Sequence, residues 1–180
     1  MNITIRQATM ADVPALNDLI TQSVKVLSEN YYSANQIQSA LLHVFGVDSQ
    51  LILDGTYFIA VFDDQIAGAG GWSKRKTLYG GDQRKADQPD PLLDPATEAA
   101  RIRAFYIHPE YSRRGVGTSI LNACEEAARD AGFQRVELAA TLPGQPFYQA
   151  RGYDGGEEIQ IEMPDGQTLI TVRMSRELTT

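Results

Sequence analysis

Two arginines, two glycines and a threonine lie between a predicted strand and a predicted helix, where residues 113–118 spell Arg-Arg-Gly-Val-Gly-Thr. Glycine lets the backbone turn sharply and approach a ligand closely. The first amides of the following helix have no partner within the helix, and together with the helix dipole they attract anions. The segment therefore predicts an anion site suited to a diphosphate. For this segment alone, an ordinary glycine-rich turn with solvated arginines is the alternative.

Two other phosphate-binding patterns fit this segment less well. A Walker loop requires a lysine directly after its second glycine, and no such lysine is present. A dinucleotide fingerprint requires a third glycine, whose place Ile120 takes. Glu137 does lie where a ribose-binding acid would, roughly 20 residues further on. However, residues 108–114 separate the strand from the first glycine, where a dinucleotide fold has almost no gap. A nucleotide-dependent oxidoreductase is therefore the weaker interpretation.

The stretch from Ile102 to Tyr153 resembles the GNAT superfamily of acyl-CoA-dependent N-acetyltransferases. Residues 105–117 are similar to that family's fourth strand and pyrophosphate loop, and residues 146–153 to its C-terminal Phe-Tyr-x-x-x-Gly-Phe signature. The resemblance implies a single N-acetyltransferase domain over residues 1–180. Its fold would be α/β (α+β), with a mixed, mostly antiparallel sheet flanked by helices. It also implies acetyl-CoA as cosubstrate, no metal, and direct transfer of the acetyl group in a ternary complex.

The resemblance further assigns roles to individual residues. Tyr148 would place its hydroxyl near the sulfur as a proton donor, and the N–H of Ile107 would face the thioester carbonyl. The sequence departs from the family pattern at Ser112, where Gln or Arg is preferred, and at Thr141, where many members carry a cofactor-binding Asn. The implied cofactor-binding residues are Phe105, Tyr106, Ile107, Arg113, Arg114, Gly115, Val116, Gly117 and Thr118.

The chemistry requires a group that removes a proton from the amine, because lysine-like amines have a pKa of about 10.4 in water. Glu137 is the first candidate for this base, since the strand that carries it borders the cleft in the resembled family. The alternatives are a structural role for Glu137, His108 as the base, and a chain of water molecules. Cys124 lies on the apolar stripe of a predicted helix, so we expect it to be buried and unreactive.

Hydrophobic periodicity supplies the elements that would position these residues. Alternation predicts strands at residues 2–7, 57–62, 65–73, 101–107, 136–140, 153–161 and 168–174, with a hairpin at Asp63-Asp64. Helical spacing predicts helices at residues 11–29, from 33 to near 46, from about 118 to 131, and at 143–150. In the strand before the pyrophosphate loop, simple alternation places Arg103 on one face with Phe105 and Ile107. The resulting order is β-α-α-β-β-β-α-β-α-β-β.

Residues 74–97 interrupt this pattern with a polar segment that contains Gly80-Gly81 and three prolines. A long connection of this kind inside a compact domain is usually functional or disordered. The segment precedes the strand that would line the thioester, and its apolar residues Leu78, Tyr79, Leu92 and Leu93 give it something to dock with. We therefore expect a mobile lid on the acceptor side that orders when substrate binds, with an inert insertion as the alternative.

Composition limits the partners of the protein. Its net charge of −7 argues against binding to nucleic acid, which depends on cationic contacts. Its single cysteine excludes a disulfide framework or a cysteine-rich zinc site. No apolar run could cross a membrane or serve as a secretory leader, so a cytoplasmic protein is expected. The expected acceptor is the primary amine of a small molecule or a peptide. The sequence leaves open whether the protein forms a homodimer. A catalytically silent acyl-CoA-binding sensor is the alternative function.

Overall fold

The computed structural model describes residues 2–85, 87 and 89–179. One seven-stranded mixed sheet has the order β1-β2-β3-β4-β5-β7-β6. Neighbouring strands are antiparallel except β4 and β5, which are parallel. The strands are β1 (Ile3–Gln7), β2 (Tyr57–Phe62), β3 (Gln65–Ser73), β4 (Ala100–Ile107), β5 (Arg135–Thr141), β6 (Asp154–Glu162) and β7 (Thr168–Glu177). The mixed, mostly antiparallel sheet expected from the sequence is therefore confirmed.

Helices cover both faces of the sheet. They are α1 (Val13–Leu27), α2 (Ala34–His43), α3 (Ser49–Leu53), α4 (Val116–Asp130) and α5 (Gln145–Gln149), with short 3₁₀ turns at Met10–Asp12, Asp82–Arg84 and Pro109–Tyr111. Ser33 caps α2 as expected, accepting from the Gln36 amide at 3.1 Å. Helix α3 is not predictable from hydrophobic periodicity, because five residues are too few to show a helical period. Among the described residues, no helix is both long and apolar enough to cross a membrane.

Two apolar clusters hold the layers together. The first contains the buried stripe of α4, including Ile120, Leu121 and Cys124, packed on one face of the sheet. The second contains the buried residues of α1 and α2, including Leu16 and Ile20, packed on the other face. Each helix is amphipathic with a period of 3.6 residues, so its apolar stripe fits one face of the sheet.

A β-bulge in β4 changes which side chains share a face. Ala104 has a φ of +50°, and the pairing with β3 shifts between Ala69 and Gly71. A bulge adds one residue to one strand and breaks the alternation of its side chains. Ile102 consequently packs in the α4-side cluster, whereas Arg103 reaches Asp48 at the start of α3 on the opposite face. The expectation that Arg103 shares a face with Phe105 and Ile107 is therefore wrong.

Candidate active site

The sheet opens between its two parallel strands. β4 and β5 pair only at Ala100–Val136 and Arg101–Glu137, and no register partners follow although both strands continue. The edge of β4 that faces β5 is thus free from Ile102 onward. A parallel pair that separates in this way leaves backbone N–H and C=O groups available to a ligand strand.

A cavity of about 690 Å³ occupies this opening. Its walls come from β4, β5, the turn before α4, α5 and the α1–α2 side of the sheet. We call one part the phosphate end, lined by Ser112, Arg113, Gly115, Gly117, Thr118, Phe147 and Arg151. We call the other part the acceptor end, lined by Val24, Leu27, Tyr31, Val44, Phe45, Leu78, Tyr79, Gly80, Arg103 and Tyr106. A volume of this size suits an extended small-molecule ligand.

The phosphate end is built around the N-terminus of α4. Gly115 is the N-cap residue with a φ of +84°, and Arg113 before it has a φ of +62°. The first backbone bond of the helix runs from Ser119 to Gly115 at 3.0 Å, so the amides of residues 116–118 precede the regular ladder. The turn therefore has helix amides and an arginine available to an anion, and anion binding at this turn stays a prediction.

Arg151 belongs to the phosphate end and was missed in the sequence. Its guanidinium donates to Thr118 Oγ1, with Nε at 3.2 Å, and lies 5.4 Å from the centre of the Phe147 ring. The Gly117 backbone is close to the same ring, because a Cβ built on Gly117 would lie 3.2 Å from Phe147. Arg113 and Arg114 directly precede the first glycine of the turn, and Arg151 directly precedes Gly152 of the C-terminal signature.

The free edge of β4 directs particular amides into the opening. The amide of His108 donates to Ala67 of β3 at 2.9 Å. Successive N–H groups of a strand point to opposite edges, so the amide of Ile107 points away from β3 and toward the opening. Phe105 and Ile107 line the cavity from the α4 side, and Tyr106 lines it from the α1 side.

Tyr148 lines the cavity next to Phe147. Its ring lies 6.0 Å from Phe105, 5.1 Å from Phe147 and 5.5 Å from Tyr153, between ring centres. Burial raises the pKa of Tyr148, because an apolar surrounding disfavours the phenolate. The hydroxyl therefore keeps its proton across the neutral range and is available as a donor.

Glu137 lies at the closed end of the opening, in the last paired register of β4 and β5. Its carboxylate forms ion pairs with Arg101 and, at 3.5 Å, with Arg173. It is not among the residues that line the cavity. The structure thus separates Glu137 from Tyr148 and Ile107, and its role as base stays a prediction.

Of the predicted cofactor-binding residues, Arg114 and Val116 lie outside the cavity lining, as do His108 and Cys124. The His108 ring contacts Gln22, with Nε2 2.9 Å from its Oε1. Cys124 is fully buried in α4, and burial raises the pKa of its thiol. Within residues 2–85, 87 and 89–179, no three His, Cys, Asp or Glu side chains are grouped so that they could hold a metal ion.

Within the segment 74–97, residues Leu78, Tyr79 and Gly80 form part of the wall of the acceptor end. Backbone hydrogen bonds join the first and last parts of this segment. The Leu93 amide donates to the Lys74 carbonyl at 2.8 Å, and the Lys76 amide donates to the Pro91 carbonyl at 3.0 Å. Leu93 is buried in the α4-side cluster, but Leu92 is exposed. Arg75 is paired with Asp54 at 2.7 Å, which ties the base of the segment to α3. Movement of this segment on substrate binding stays a prediction.

Arg103 fixes the part of this wall that faces the cavity. Its guanidinium pairs with Asp48 at 2.8 Å and donates to the carbonyls of Thr77 and Gly80. Both side chains of the pair are almost completely buried, and the Nε atom of Arg103 is buried without a partner. Lys85, 2.5 Å from Asp48, adds a second cation. The backbone on either side of Tyr79 is thus held by a buried ion pair.

Known proteins share this architecture. A GCN5-related N-acetyltransferase from Rhodopseudomonas palustris has a TM-score of 0.70 at 19% identity, over 98% of this chain and 96% of that one. The PaiA N-acetyltransferase from Thermoplasma acidophilum, solved with coenzyme A, has a TM-score of 0.64 at 15% identity, over 98% and 99%. The yncA acetyltransferase from Salmonella typhimurium, solved with acetyl-CoA, has a TM-score of 0.63 at 15% identity, over 100% and 96%. Among curated protein sequences, none is significantly similar to this chain.

At these identities the solved structures show a common fold and no more. The model of the acetyltransferase (GNAT) family matches residues 24–153, which include the pyrophosphate turn, β5 and the residues around Tyr148. This match covers well over half of the chain and includes both motifs that carried the resemblance. The chain belongs to the GNAT family of acetyltransferases.

Proposed function

We propose that the protein transfers an acetyl group from acetyl-CoA to a primary amine, by direct attack of the amine while both substrates are bound. One observation carries the proposal. The lining of one cavity in the opening between β4 and β5 combines the turn at the N-terminus of α4, residues of the free edge of β4, and Tyr148. We also propose a cytoplasmic location. Proteins of oxidising compartments are often rich in disulfides, whereas the single cysteine of this chain is buried and free.

The phosphate end has the donors that a CoA diphosphate requires. The amides of residues 113–118 and the guanidinium of Arg113 would hold the diphosphate, and we add Arg151 to this set because it lines the same part of the cavity. The free edge of β4, at residues 105–107, would hydrogen-bond the amide groups of the pantetheine arm as an added strand does. When bound, acetyl-CoA supplies an activated acetyl group as a thioester.

The residues around the centre of the cavity then have separate tasks. The N–H of Ile107 would donate to the acetyl carbonyl oxygen and stabilise the negative charge that develops there. The Tyr148 hydroxyl would give its proton to the departing sulfur. The apolar rings around Tyr148 would exclude water from the reacting groups, which strengthens both interactions.

Two routes remain for the proton that the amine loses. Glu137 is the carboxylate proposed from the sequence, and water molecules reaching the cavity are the other route. The Glu137 carboxylate is occupied by two guanidinium groups and lies outside the cavity lining. The ion pairs with Arg101 and Arg173 therefore favour the route through water.

Gly117 provides a test of the phosphate end. We expect Gly117→Val to lower the affinity for acetyl-CoA at least tenfold, about 1.4 kcal/mol, because a branched side chain would press on Phe147 and fill the mouth of the cavity. Calorimetric titration measures this affinity. The control is Gly156→Val in the exposed strand β6, where a Cβ would meet no atom within 4 Å. Equal affinity in a folded Gly117→Val variant would contradict the assignment.

We also propose that residues 74–97 cover the bound amine and exclude water from it. Replacing residues 76–95 with a short Gly/Ser connector should raise the KM for the amine and leave acetyl-CoA binding nearly unchanged. Tyr79→Ala is the milder variant, since it removes one aromatic contact worth about 1 kcal/mol, or roughly fivefold in KM. Leu92→Ala, exposed on the return limb, is the matched control. If the connector variant keeps the wild-type KM and kcat, the segment is an inert insertion.

A further inference from the structure

The charges that line the cavity are all positive. Among the described residues the charged lining residues are Arg103, Arg113 and Arg151, and neither a carboxylate nor a histidine is present. Arg113 and Arg151 belong to the phosphate end, and Arg103 is paired with Asp48. The acceptor end therefore offers no negative charge to a substrate, although the chain as a whole carries −7.

An acceptor with several ammonium groups would bind poorly in such a site. A cation moved from water to an apolar wall loses its hydration, and without a carboxylate only the aromatic faces compensate, and only in part. Apart from Ser23 and Ser28, the walls here are mainly the apolar and aromatic side chains of Leu27, Tyr31, Phe45, Leu78 and Tyr79. Their chemistry fits an apolar or aromatic body, which makes favourable contacts without compensating charge.

The same lining restricts the basicity of the reacting amine. The titratable groups that face the acceptor end are Arg103 and the tyrosines at positions 31, 79, 106 and 148. None of them is suited to remove a proton near neutral pH, since arginine stays charged and tyrosine hydroxyls act as donors. The amine must then enter the reaction with its proton already lost to solvent. Near neutral pH roughly one lysine-like amine in a thousand is neutral, compared with about one in ten for an α-amino group.

We infer that the acceptor is a weakly basic primary amine on an apolar body, the chemistry of an α-amino group next to a carbonyl with an apolar side chain. This inference rests on the proposed acetyl transfer. In the reaction the amine nitrogen forms a C–N bond to the acetyl carbon, the C–S bond breaks, and its electron pair stays on sulfur. Tyr148 protonates the sulfur, and the proton lost by nitrogen passes to water, from which Tyr148 is reprotonated.

The test compares amines that share a body and differ in basicity. The probes are phenylalaninamide, whose carbonyl lowers the basicity of its amine, 2-phenylethylamine, which has the same ring without the carbonyl, and spermidine, which has a polycationic body. A short peptide with an N-terminal phenylalanine distinguishes a peptide source of the α-amine from a free amino-acid derivative. For each probe kcat/KM is measured from thiol release between pH 6 and 10.

We expect kcat/KM at neutral pH to be at least tenfold higher for phenylalaninamide than for 2-phenylethylamine, and spermidine to be the poorest acceptor. We also expect kcat/KM to rise with pH up to the pKa of each amine, so that the break moves with the probe. Glu137→Gln should leave these breaks in place. A break at one pH for all probes, or its loss in Glu137→Gln, would overturn the inference by showing a base on the protein.

The outcomes separate the inference from the proposed function. Preferential acetylation of spermidine would overturn the inference and leave acetyl transfer to amines intact. If no probe and no other amine released thiol from acetyl-CoA, both would fail together. Equilibrium binding of phenylalaninamide and of spermidine, measured without acetyl-CoA, gives a second readout, and tighter binding of spermidine would also contradict the apolar acceptor end.

Discussion

Tyr148→Phe is expected to lower kcat by about 10²–10⁴, the usual contribution of a positioned acid, with little change in acetyl-CoA affinity. The substitution keeps a ring among Phe105, Phe147 and Tyr153 and removes only the hydroxyl. Burial raises the pKa of Tyr148, so the wild-type hydroxyl stays protonated through the neutral range and its loss removes a donor at every pH tested there. Single-turnover measurements, which isolate the chemical step, are the most direct readout.

Tyr111→Phe is the matched control for this effect. Tyr111 is a partly buried tyrosine whose ring packs 5.3 Å from that of Phe62, and it is not among the residues that line the cavity. The control should retain wild-type turnover. If Tyr148→Phe also turned over at the wild-type rate, its hydroxyl would be structural and another group would have to protonate the sulfur.

Arg103→Met should reduce the free energy of unfolding by about 3 kcal/mol, because it removes the buried partner of the buried Asp48 carboxylate. Lys85 remains beside Asp48, which keeps the loss at the lower end for a broken buried pair. The carbonyls of Thr77 and Gly80 also lose their donor, so the wall around Tyr79 should loosen. Where the variant folds, the KM for the amine should rise more than the KM for acetyl-CoA.

Urea unfolding of Arg103→Met, Arg103→Lys and Arg129→Met tests this expectation. Arg129 is exposed on α4, so its substitution should change stability by no more than about 0.5 kcal/mol. Arg103→Lys keeps the charge but cannot reach Asp48 and both carbonyls together, and an intermediate loss is expected. Wild-type stability in Arg103→Met would mean that the pair contributes nothing to the fold.

Local sequence patterns predicted most elements of the fold. Alternation located every strand to within three residues at each end, and Asp63 and Asp64 both adopt the positive φ that a two-residue hairpin requires. The turn at residues 113–118 and Tyr148 were found because glycine spacing and the Phe-Tyr signature are local features. Arg113, Gly115, Gly117, Thr118 and Tyr148 line one cavity, whereas Arg114 and Val116 of the same turn do not line it.

Local sequence patterns could not predict contacts between residues that are distant in the chain. The bulge at Ala104 places the Arg103 side chain on the opposite face of the sheet from the one expected, and no residue type in β4 indicates a bulge. The partners of Arg103 and Glu137 come from distant parts of the chain, so these ion pairs could not be predicted from local patterns. Arg151 was overlooked because an arginine after a short helix is usually solvated.

The most direct test of the proposed acetyl transfer is an assay that combines purified protein, acetyl-CoA and a panel of primary amines. Released thiol and acetylated amine are measured together, the latter by mass spectrometry. We predict amine-dependent thiol release with an equal amount of N-acetylated product. Tight binding of acetyl-CoA without thiol release for any amine would contradict the enzyme and favour an acyl-CoA-binding sensor instead.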